Sequence, residues 1–335
     1  MVQQVRLGGG CAMDGRGAFV FAFPHPPVDG VVHSRLFYVL VDGDAAAWQH
    51  ADLAGRTVTS CTSVDWNGAR AGVALCADGA VEIANERAET LETIAPEDED
   101  VAAGAVTFVH VAAHGACLAA CGGSGRVYLR TEAGEWARVG AGFEREADKT
   151  ETRIADLRRE GMVTLRERTR LSRTVPNFAQ VAFAPDGALY ACGLDGRIER
   201  HDGAWTRMDV PSTAHLTAIA TSADGRVAAV GYEATALVGG AAGFRALRHA
   251  SPRQTFGAVA FRGEVAFVAS GRSLFRQADG DLVPVAAVND VLGRDETIMS
   301  LDAHGPALWV VTDLRIIRLE GEAVTSFWPP DNERR

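Results

Sequence analysis

Asp-Gly pairs are the first motif in this sequence with the residue types for metal chemistry. Three of them lie close together, at Asp186, Asp195 and Asp202. A calcium loop needs several alternating aspartates before its glycine, and none of the three pairs has them. Aspartate followed by glycine also forms tight turns, because both residues tolerate the left-handed backbone conformation. We therefore interpret the three pairs as turns between strands and predict no metal there.

Histidine and cysteine also lack the spacing of a metal site. His110 and His114 lie four residues apart across a predicted strand and its turn, so they do not share one helical face as a zinc pair would. Cys117 and Cys121 face the same side of a strand, but that spacing separates them by about 13 Å. We expect buried, reduced thiols, which are typical of a reducing compartment. The six cysteines are Cys11, Cys61, Cys76, Cys117, Cys121 and Cys192.

The motifs of several enzyme classes are absent from the sequence. It contains no Gly-x-x-x-x-Gly-Lys phosphate loop and no Gly-x-Ser-x-Gly nucleophile turn. A sialidase-type site needs three converging arginines and a tyrosine–glutamate pair, but no arginine triad is apparent and the tyrosines fall in or at the ends of predicted strands. We therefore predict a non-enzymatic protein without a cofactor. The four tyrosines are Tyr38, Tyr128, Tyr190 and Tyr232.

Composition argues against two classes of partner. The formal net charge is −10, whereas proteins that bind the phosphate backbone of nucleic acids carry a basic stripe. No run of about eighteen apolar residues is present, so no segment reads as a transmembrane helix. Residues 1–6 lack the basic start and apolar stretch of a secretory signal, which favours a cytoplasmic location. We predict neither a nucleic acid nor a membrane as partner.

Glycines at regular intervals organise these motifs into a repeat. Aligned on the glycine between the first and second strands of each unit, the sequence gives spacings of 38, 47, 72, 38, 38 and 42 residues. Each unit holds four short alternating runs separated by turn signals, most clearly in residues 181–205. Seven such units predict an all-β fold, a seven-bladed β-propeller of four-stranded antiparallel blades. The aligned glycines are Gly30, Gly68, Gly115, Gly187, Gly225, Gly263 and Gly305.

The predicted blades form a single domain over residues 1–335. The first blade would begin with an inner strand at Gly17 and carry Trp48 on its third strand. Residues 2–7 would be a spare strand that pairs with the last blade and closes the ring. The predicted blades span residues 17–53, 57–94, 105–139, 178–208, 215–247, 255–286 and 296–327.

Two turn motifs resemble those of known propellers. Residues 181–187 (VAFAPDG) resemble the first turn of WD-repeat and YVTN-type propellers, and residues 222–225 (SADG) are a weaker copy. Residues 133–136 and 202–205 resemble the aspartate-box turn of sialidase-type (BNR-like) propellers. The Trp-Asp and Gly-His pairs of true WD repeats are absent. The resemblance therefore implies the β-propeller architecture without a specific family or activity.

A charged insertion at residues 140–176, between the third and fourth predicted blades, interrupts the repeat. It carries nine basic and seven acidic residues, a net charge of +2 against −12 for the remainder. Residues 144–160 fit a helix, and residues 162–171 fit either a strand or the return arm of a long hairpin; periodicity does not distinguish these possibilities. A long insertion in a compact fold is usually functional or disordered, and we interpret this one as functional.

In the predicted register, the insertion and the connections between blades leave one face of the ring. A rigid ring that displays charged loops is typical of a binding scaffold. We therefore predict that this face binds another protein, and the acidic charge of the ring favours a basic one. The predicted contact residues are Arg153, Arg158, Arg159, Arg166, Arg168, Arg170, Glu97, Asp98, Glu99, Asp100, Arg248, His249, Arg253, Asp290 and Arg294.

Two hypotheses of different classes follow. The first is a cytoplasmic, non-enzymatic scaffold, either a monomer or part of a hetero-complex, of which a bacterial toxin-immunity or effector-binding protein is one form. The alternative is a propeller hydrolase or lyase, lactonase- or sialidase-like, with its site at the top of the central channel. Bound calcium, manganese or zinc would distinguish the second from the first.

Overall fold

Seven four-stranded antiparallel sheets form the fold, and each pairs its strands in the order of the chain. The protein is described from a computed structural model, which places residues 4–25, 33–94, 107–160, 164, 167, 171, 176–251 and 253–332. The sheets surround a central channel lined by the first strand of each, so the chain is a seven-bladed β-propeller, as the glycine spacing predicts.

Strands and helices are numbered in chain order. Blades 1 and 2 contain β1 (Gln4–Ala12), β2 (Gly17–His25), β3 (Ser34–Asp42) and β4 (Ala45–Leu53), then β5 (Val58–Trp66), β6 (Ala69–Cys76), β7 (Ala80–Ala84) and β8 (Glu89–Thr93). Blade 3 contains β9 (Phe108–His114), β10 (Cys117–Gly122), β11 (Val127–Glu132) and β12 (Glu135–Arg138), and helix α1 (Ala141–Arg159) follows it. Blade 4 contains β13 (Phe178–Phe183), β14 (Leu189–Gly193), β15 (Ile198–His201) and β16 (Trp205–Arg207).

The remaining three blades complete the ring. Blade 5 contains β17 (Leu216–Thr221), β18 (Val227–Gly231), β19 (Ala236–Gly240) and β20 (Gly243–Ala246). Blade 6 contains β21 (Ala258–Arg262), β22 (Val265–Ser270), β23 (Ser273–Ala278) and β24 (Asp281–Pro284), followed by the short helix α2 (Ala286–Asn289). Blade 7 contains β25 (Ile298–His304), β26 (Ala307–Thr312), β27 (Ile316–Glu320) and β28 (Ala323–Phe327).

Because neighbouring strands run in opposite directions, the connections between strands lie alternately on two opposite faces of the ring. The connections between blades, and those between second and third strands, end on one face, which we call the top face. The turns between first and second strands and between third and fourth strands end on the opposite face, the bottom face. Six of the seven aligned glycines lie in bottom-face turns with positive φ, as turn formation requires. They are Gly68, Gly115, Gly187, Gly225, Gly263 and Gly305.

The hydrophobic core is divided among the seven interfaces between neighbouring blades. The cluster between blades 3 and 4, for example, joins Cys121 and Val127 of one blade to Phe178 and Leu189 of the next. Second strands such as β14, β18 and β26 are buried along their whole length, because each packs against a blade on both sides. These strands therefore consist of continuous runs of mainly small apolar residues and lack the alternation of apolar and polar residues that a half-exposed strand shows.

The first blade differs from the sequence-based prediction. Its inner strand is β1, which pairs with β2, so the blade begins at Gln4 and not at Gly17. Residues 13–16 make the first turn, whereas Gly30 follows β2 and lies outside the described residues. Trp48 is consequently on the fourth strand. The prediction was wrong because the glycines at 8–10 and a register shift after Leu7 remove the apolar alternation from β1.

No blade combines strands from the two ends of the chain, because each sheet consists of four consecutive strands. Residues 4–7, the described part of the predicted strand 2–7, belong to β1, which pairs with β2 and does not add a strand to blade 7 as predicted. Beside blade 7, β1 contributes to a shared apolar cluster and forms separate hydrogen bonds, such as Leu7 N–H to Asp313 O at 3.0 Å and Gly10 N–H to Ser300 Oγ at 2.9 Å.

The C-terminal segment also crosses the interface between blades 1 and 7. Val5 N–H donates to Asn332 Oδ1 at 3.2 Å, and Asn332 Nδ2 donates to Val5 O at 2.9 Å and to Leu314 O at 3.1 Å. One buried asparagine therefore adds three hydrogen bonds to those that already join blade 1 to blade 7.

Candidate functional site

Helix α1 is anchored on the ring by an aromatic cluster at its first turn. The Phe143 ring meets the rings of Phe178 and Trp205 edge-on, each at a centroid distance of 5.1 Å. The Trp205 indole N–H donates to Val139 O at 2.8 Å, just before the helix. Edge-to-face aromatic packing adds to the free energy of burial, so the start of α1 is held against blades 3 and 4.

Ion pairs and close backbone contacts hold the same end of α1. Arg138 Nε donates to Glu144 Oε1 at 2.8 Å, and Arg197 of blade 4 lies 3.0 Å from Glu146 Oε1. A Cβ at Gly140 would lie 2.4 Å from the backbone oxygen of Gly125, so glycine is required for the approach of the helix. The first two turns of α1 are therefore a fixed part of the ring.

The remainder of α1 presents charged side chains to solvent. Arg153, Arg158 and Arg159 are exposed, as the prediction of a contact surface requires, and Ile154 is buried. Arg158 and Arg159 occupy the last turn, where positive charge interacts favourably with the helix dipole. The helix begins three residues earlier than the predicted residue 144. The other predicted arginines of the insertion, Arg166, Arg168 and Arg170, lie outside the described residues, as does most of the range 162–171.

The predicted residues on the connections between blades divide into free and engaged side chains. Arg253, Asp290 and Arg294 are exposed on the top face. Arg248 instead forms two hydrogen bonds with Asp281 of the next blade, at 2.7 and 2.9 Å. His249 packs edge-on against two phenylalanine rings. Glu97, Asp98, Glu99 and Asp100 lie outside the described residues.

Three apolar side chains on the top face were missed by the sequence reasoning. Tyr232, Val291 and Met299 each expose between 40 and 49 % of their surface. Tyr232 connects β18 to β19, Val291 follows α2, and Met299 lines the mouth of the central channel. Single apolar residues within loops give no periodic signal, so only their position in the fold identifies them. Exposed apolar side chains beside charged ones are common at protein contacts.

Polar side chains in the channel wall connect neighbouring inner strands. Ile219 N–H donates to Gln180 Oε1 at 2.8 Å, which orients the Gln180 amide so that Nε2 donates to His110 Nε2 at 2.7 Å. His110 is therefore neutral, and burial lowers its pKa to about 3. Ser63 and Ser300 likewise donate to backbone oxygens of β1. These groups hold the blades together around a cavity of about 380 Å³.

Histidine, cysteine and acidic side chains are scattered through the described part of the chain. Within those residues, no group of three or more His, Cys, Asp or Glu side chains is placed to hold a metal ion. No helix there is long and apolar enough to cross a membrane. All six cysteines are free thiols. Cys117 is exposed on the bottom face, contrary to the expectation of buried thiols, because it lies at the first residue of β10 beside a turn.

Comparison with known proteins shows the fold of the chain. No protein-family model matches it, and no curated protein matches its sequence. The structure of YCF48 bound to D1 peptide matches with a TM-score of 0.60 at 11 % identity, covering 93 % of this chain and 90 % of that one. YCF48 from Cyanidioschyzon merolae matches with a TM-score of 0.59 at 13 % identity, covering 99 and 98 % of the two chains.

A third similar structure is the WD40 β-propeller domain of Doa1, with a TM-score of 0.56 at 9 % identity over 93 % of this chain and 91 % of that one. At such low identities the likeness extends to the fold and no further. The chain is thus a seven-bladed β-propeller similar to both YCF48 and WD40 structures. Fold alone does not determine activity, so its function must be argued from its surfaces.

Proposed function

We propose that this protein is a non-enzymatic scaffold that binds a partner protein through the top face and helix α1. The observation that carries the proposal is the anchoring of α1, whose first turns are fixed on blades 3 and 4 while its basic C-terminal end is exposed. A fixed helix loses little conformational entropy on binding, which favours its use as a contact surface. Tyr232, Val291 and Met299 supply apolar contacts on the same face.

Two of the similar structures are consistent with this kind of function. YCF48 is described with a bound D1 peptide, and another match is a chain of the mitotic checkpoint complex, with a TM-score of 0.56 at 10 % identity. We propose a cytoplasmic location, in keeping with six free thiols. A bacterial toxin-immunity or effector-binding role is the narrower form of the proposal.

The experiment uses the full chain with three variants. Tagged protein is purified from its source cells, co-purifying proteins are identified by mass spectrometry, and the affinity of the principal partner is then measured with purified components. We expect the triple variant Arg153→Glu, Arg158→Glu, Arg159→Glu to weaken binding at least tenfold. Phe143→Ala should also weaken it, because it releases the helix while leaving the charged surface intact.

Glu264→Gln is the matched control, since Glu264 is exposed on the bottom face. It should bind like the wild type. Equal affinity of all four proteins for the partner would show that the top face is not the interface. Stoichiometric calcium, manganese or zinc in the purified protein would support the propeller hydrolase or lyase hypothesis and contradict the scaffold.

A further inference from the structure

The bottom face, opposite α1, presents carboxylates outward and arginines inward. In ion pairs of four different blades, the arginine side chain is more buried than its acidic partner. A surface arranged in this way is electronegative to an approaching molecule even where each charge is paired. The pairs, with exposures of the arginine and the acid, are Arg70–Asp65 (37 and 68 %), Arg200–Asp186 (18 and 61 %), Arg226–Glu264 (33 and 83 %) and Arg318–Glu320 (20 and 47 %).

A cavity of about 200 Å³ opens on this face between blades 1 and 2. Its apolar lining residues are Met13, Tyr38 and Leu40, of which Leu40 is 42 % exposed. A cavity of this size admits a side chain and is too small for a folded element. The cavity therefore suits a single side chain with an apolar stem.

Two carboxylates, Asp14 and Glu86, also line the cavity, and neither forms an ion pair within the described residues. Glu86 makes no hydrogen bond or ion pair within the described residues. Asp14 accepts a hydrogen bond from Arg16 N at 2.6 Å through Oδ1 only. Burial, and then the charges of Glu86 and Asp14, raise the pKa of the nearby Tyr38 hydroxyl. This part of the cavity therefore attracts positive charge.

Two arginines, Arg70 and Arg87, also line the cavity, and they differ in how far they offset the negative charge of Asp14 and Glu86. Arg70 is engaged by the wall, since its guanidinium donates to Met13 O, Asp65 Oδ1 and Ser63 Oγ at 3.1, 3.1 and 2.7 Å. Arg87 is exposed at the edge and opposes a bound cation. Removing Arg87 should thus strengthen the binding of a cation and weaken that of an anion.

We propose that this cavity binds a lysine or arginine side chain from an extended basic segment of a partner protein. The aliphatic stem packs on Met13, Tyr38 and Leu40, and the cation meets Asp14 and Glu86. A lysine ammonium has three donors, and the two carboxylates with the Tyr38 hydroxyl oxygen supply acceptors for them. The acidic turns around the cavity attract the remaining basic residues of the segment. This surface is separate from the top face, so either proposal can fail without the other.

The probe is a fluorescein-labelled octalysine peptide, and its binding to the full chain is measured by fluorescence anisotropy at about 0.15 M salt, where weak long-range attraction is screened. The double variant Asp14→Asn, Glu86→Gln should weaken binding at least tenfold, and asparagine can still accept the Arg16 hydrogen bond. Arg87→Gln should strengthen binding. Glu264→Gln, which removes a carboxylate of the same face outside the cavity, should stay within twofold of the wild type.

Four results would overturn the proposal. Absence of peptide binding to the wild type is the first, and equal weakening by Glu264→Gln and the cavity variant is the second, because it would indicate diffuse attraction. The third is equal binding of a peptide with acetylated lysines. Concentration-dependent self-association that is lost in the triple arginine variant of α1 would also reject it, because the occupant would then be the basic helix end of a second copy.

Discussion

Asn332 allows the closure of the ring to be tested by a single substitution. Its side chain is 7 % exposed and forms the three hydrogen bonds to Val5 and Leu314 that join blades 1 and 7. Asn332→Ala removes all three and leaves the Val5 N–H and C=O and the Leu314 C=O without these partners. A typical net hydrogen bond contributes about 0.5–1.5 kcal/mol, and a buried unpaired group costs about 1–3 kcal/mol.

Because the site is close to the end of the chain, water can reach some of the freed groups. We therefore expect the free energy of unfolding to fall by about 2–4 kcal/mol, measured from the urea midpoint at constant slope. Hydrogen exchange should accelerate at the Val5 amide and not in blade 4. Asp331→Asn is the control, since Asp331 forms a partly exposed pair with Arg35 and should contribute less than about 1 kcal/mol. A loss below about 0.5 kcal/mol for Asn332→Ala would refute this account of ring closure.

Two further predictions concern the helix anchor and the channel wall. Gly140→Ala should lower the free energy of unfolding by about 2 kcal/mol or more in urea melts, because its Cβ meets backbone at 2.4 Å, whereas Gly142→Ala has open space inside α1 and should raise it by about 0.5–1 kcal/mol. Equal effects of the two would refute the close contact. His110 has a folded pKa of about 3, below its usual value, so the unfolded state takes up a proton first and stability is lost as pH falls from about 6.5 toward 3. Between pH 7 and 4.5 the wild type should lose about 2 kcal/mol more than His110→Asn in urea melts, and parallel losses would contradict a neutral His110.

The number of blades could be predicted from the sequence, whereas the start of the first blade and the contact that closes the ring could not. Bottom-face turns need a residue with positive φ, so glycines such as Gly187 and Gly225 recur with the blades. The inner strand of blade 1, β1, contains three glycines at residues 8–10. Because glycine has no side chain, this part of the strand shows no alternation of apolar and polar residues. The closing contact of Asn332 joins it to Val5, 327 residues away in the chain, so no local pattern reveals it.

The residues of the candidate contact surfaces are identified more by where they lie in the fold than by their residue type. The insertion was recognised because it breaks the repeat, and its basic residues suggested a contact surface. The same reasoning could not distinguish two exposed arginines, Arg253, which has no ion pair within the described residues, and Arg248, which is bonded to Asp281 in the next blade. The sequence reasoning also interpreted the Asp-Gly pairs only as residues that form turns. Asp186 does bond to the backbone of its own turn, but it also faces solvent beside a more buried arginine.

The charge of the whole chain is a poor guide to the partner of either face. Strands of about five or six residues separate the faces by about 17–20 Å, which is more than twice the Debye length of about 8 Å at physiological salt. A partner at the end of α1 therefore meets the charges of that end, which include the exposed arginines and Asp156, while the carboxylates of the bottom face act on molecules at that face. The net charge of −10 favours a basic partner for the protein as a whole. We propose that this preference belongs to the bottom face, where the carboxylates are more exposed than the arginines with which they pair.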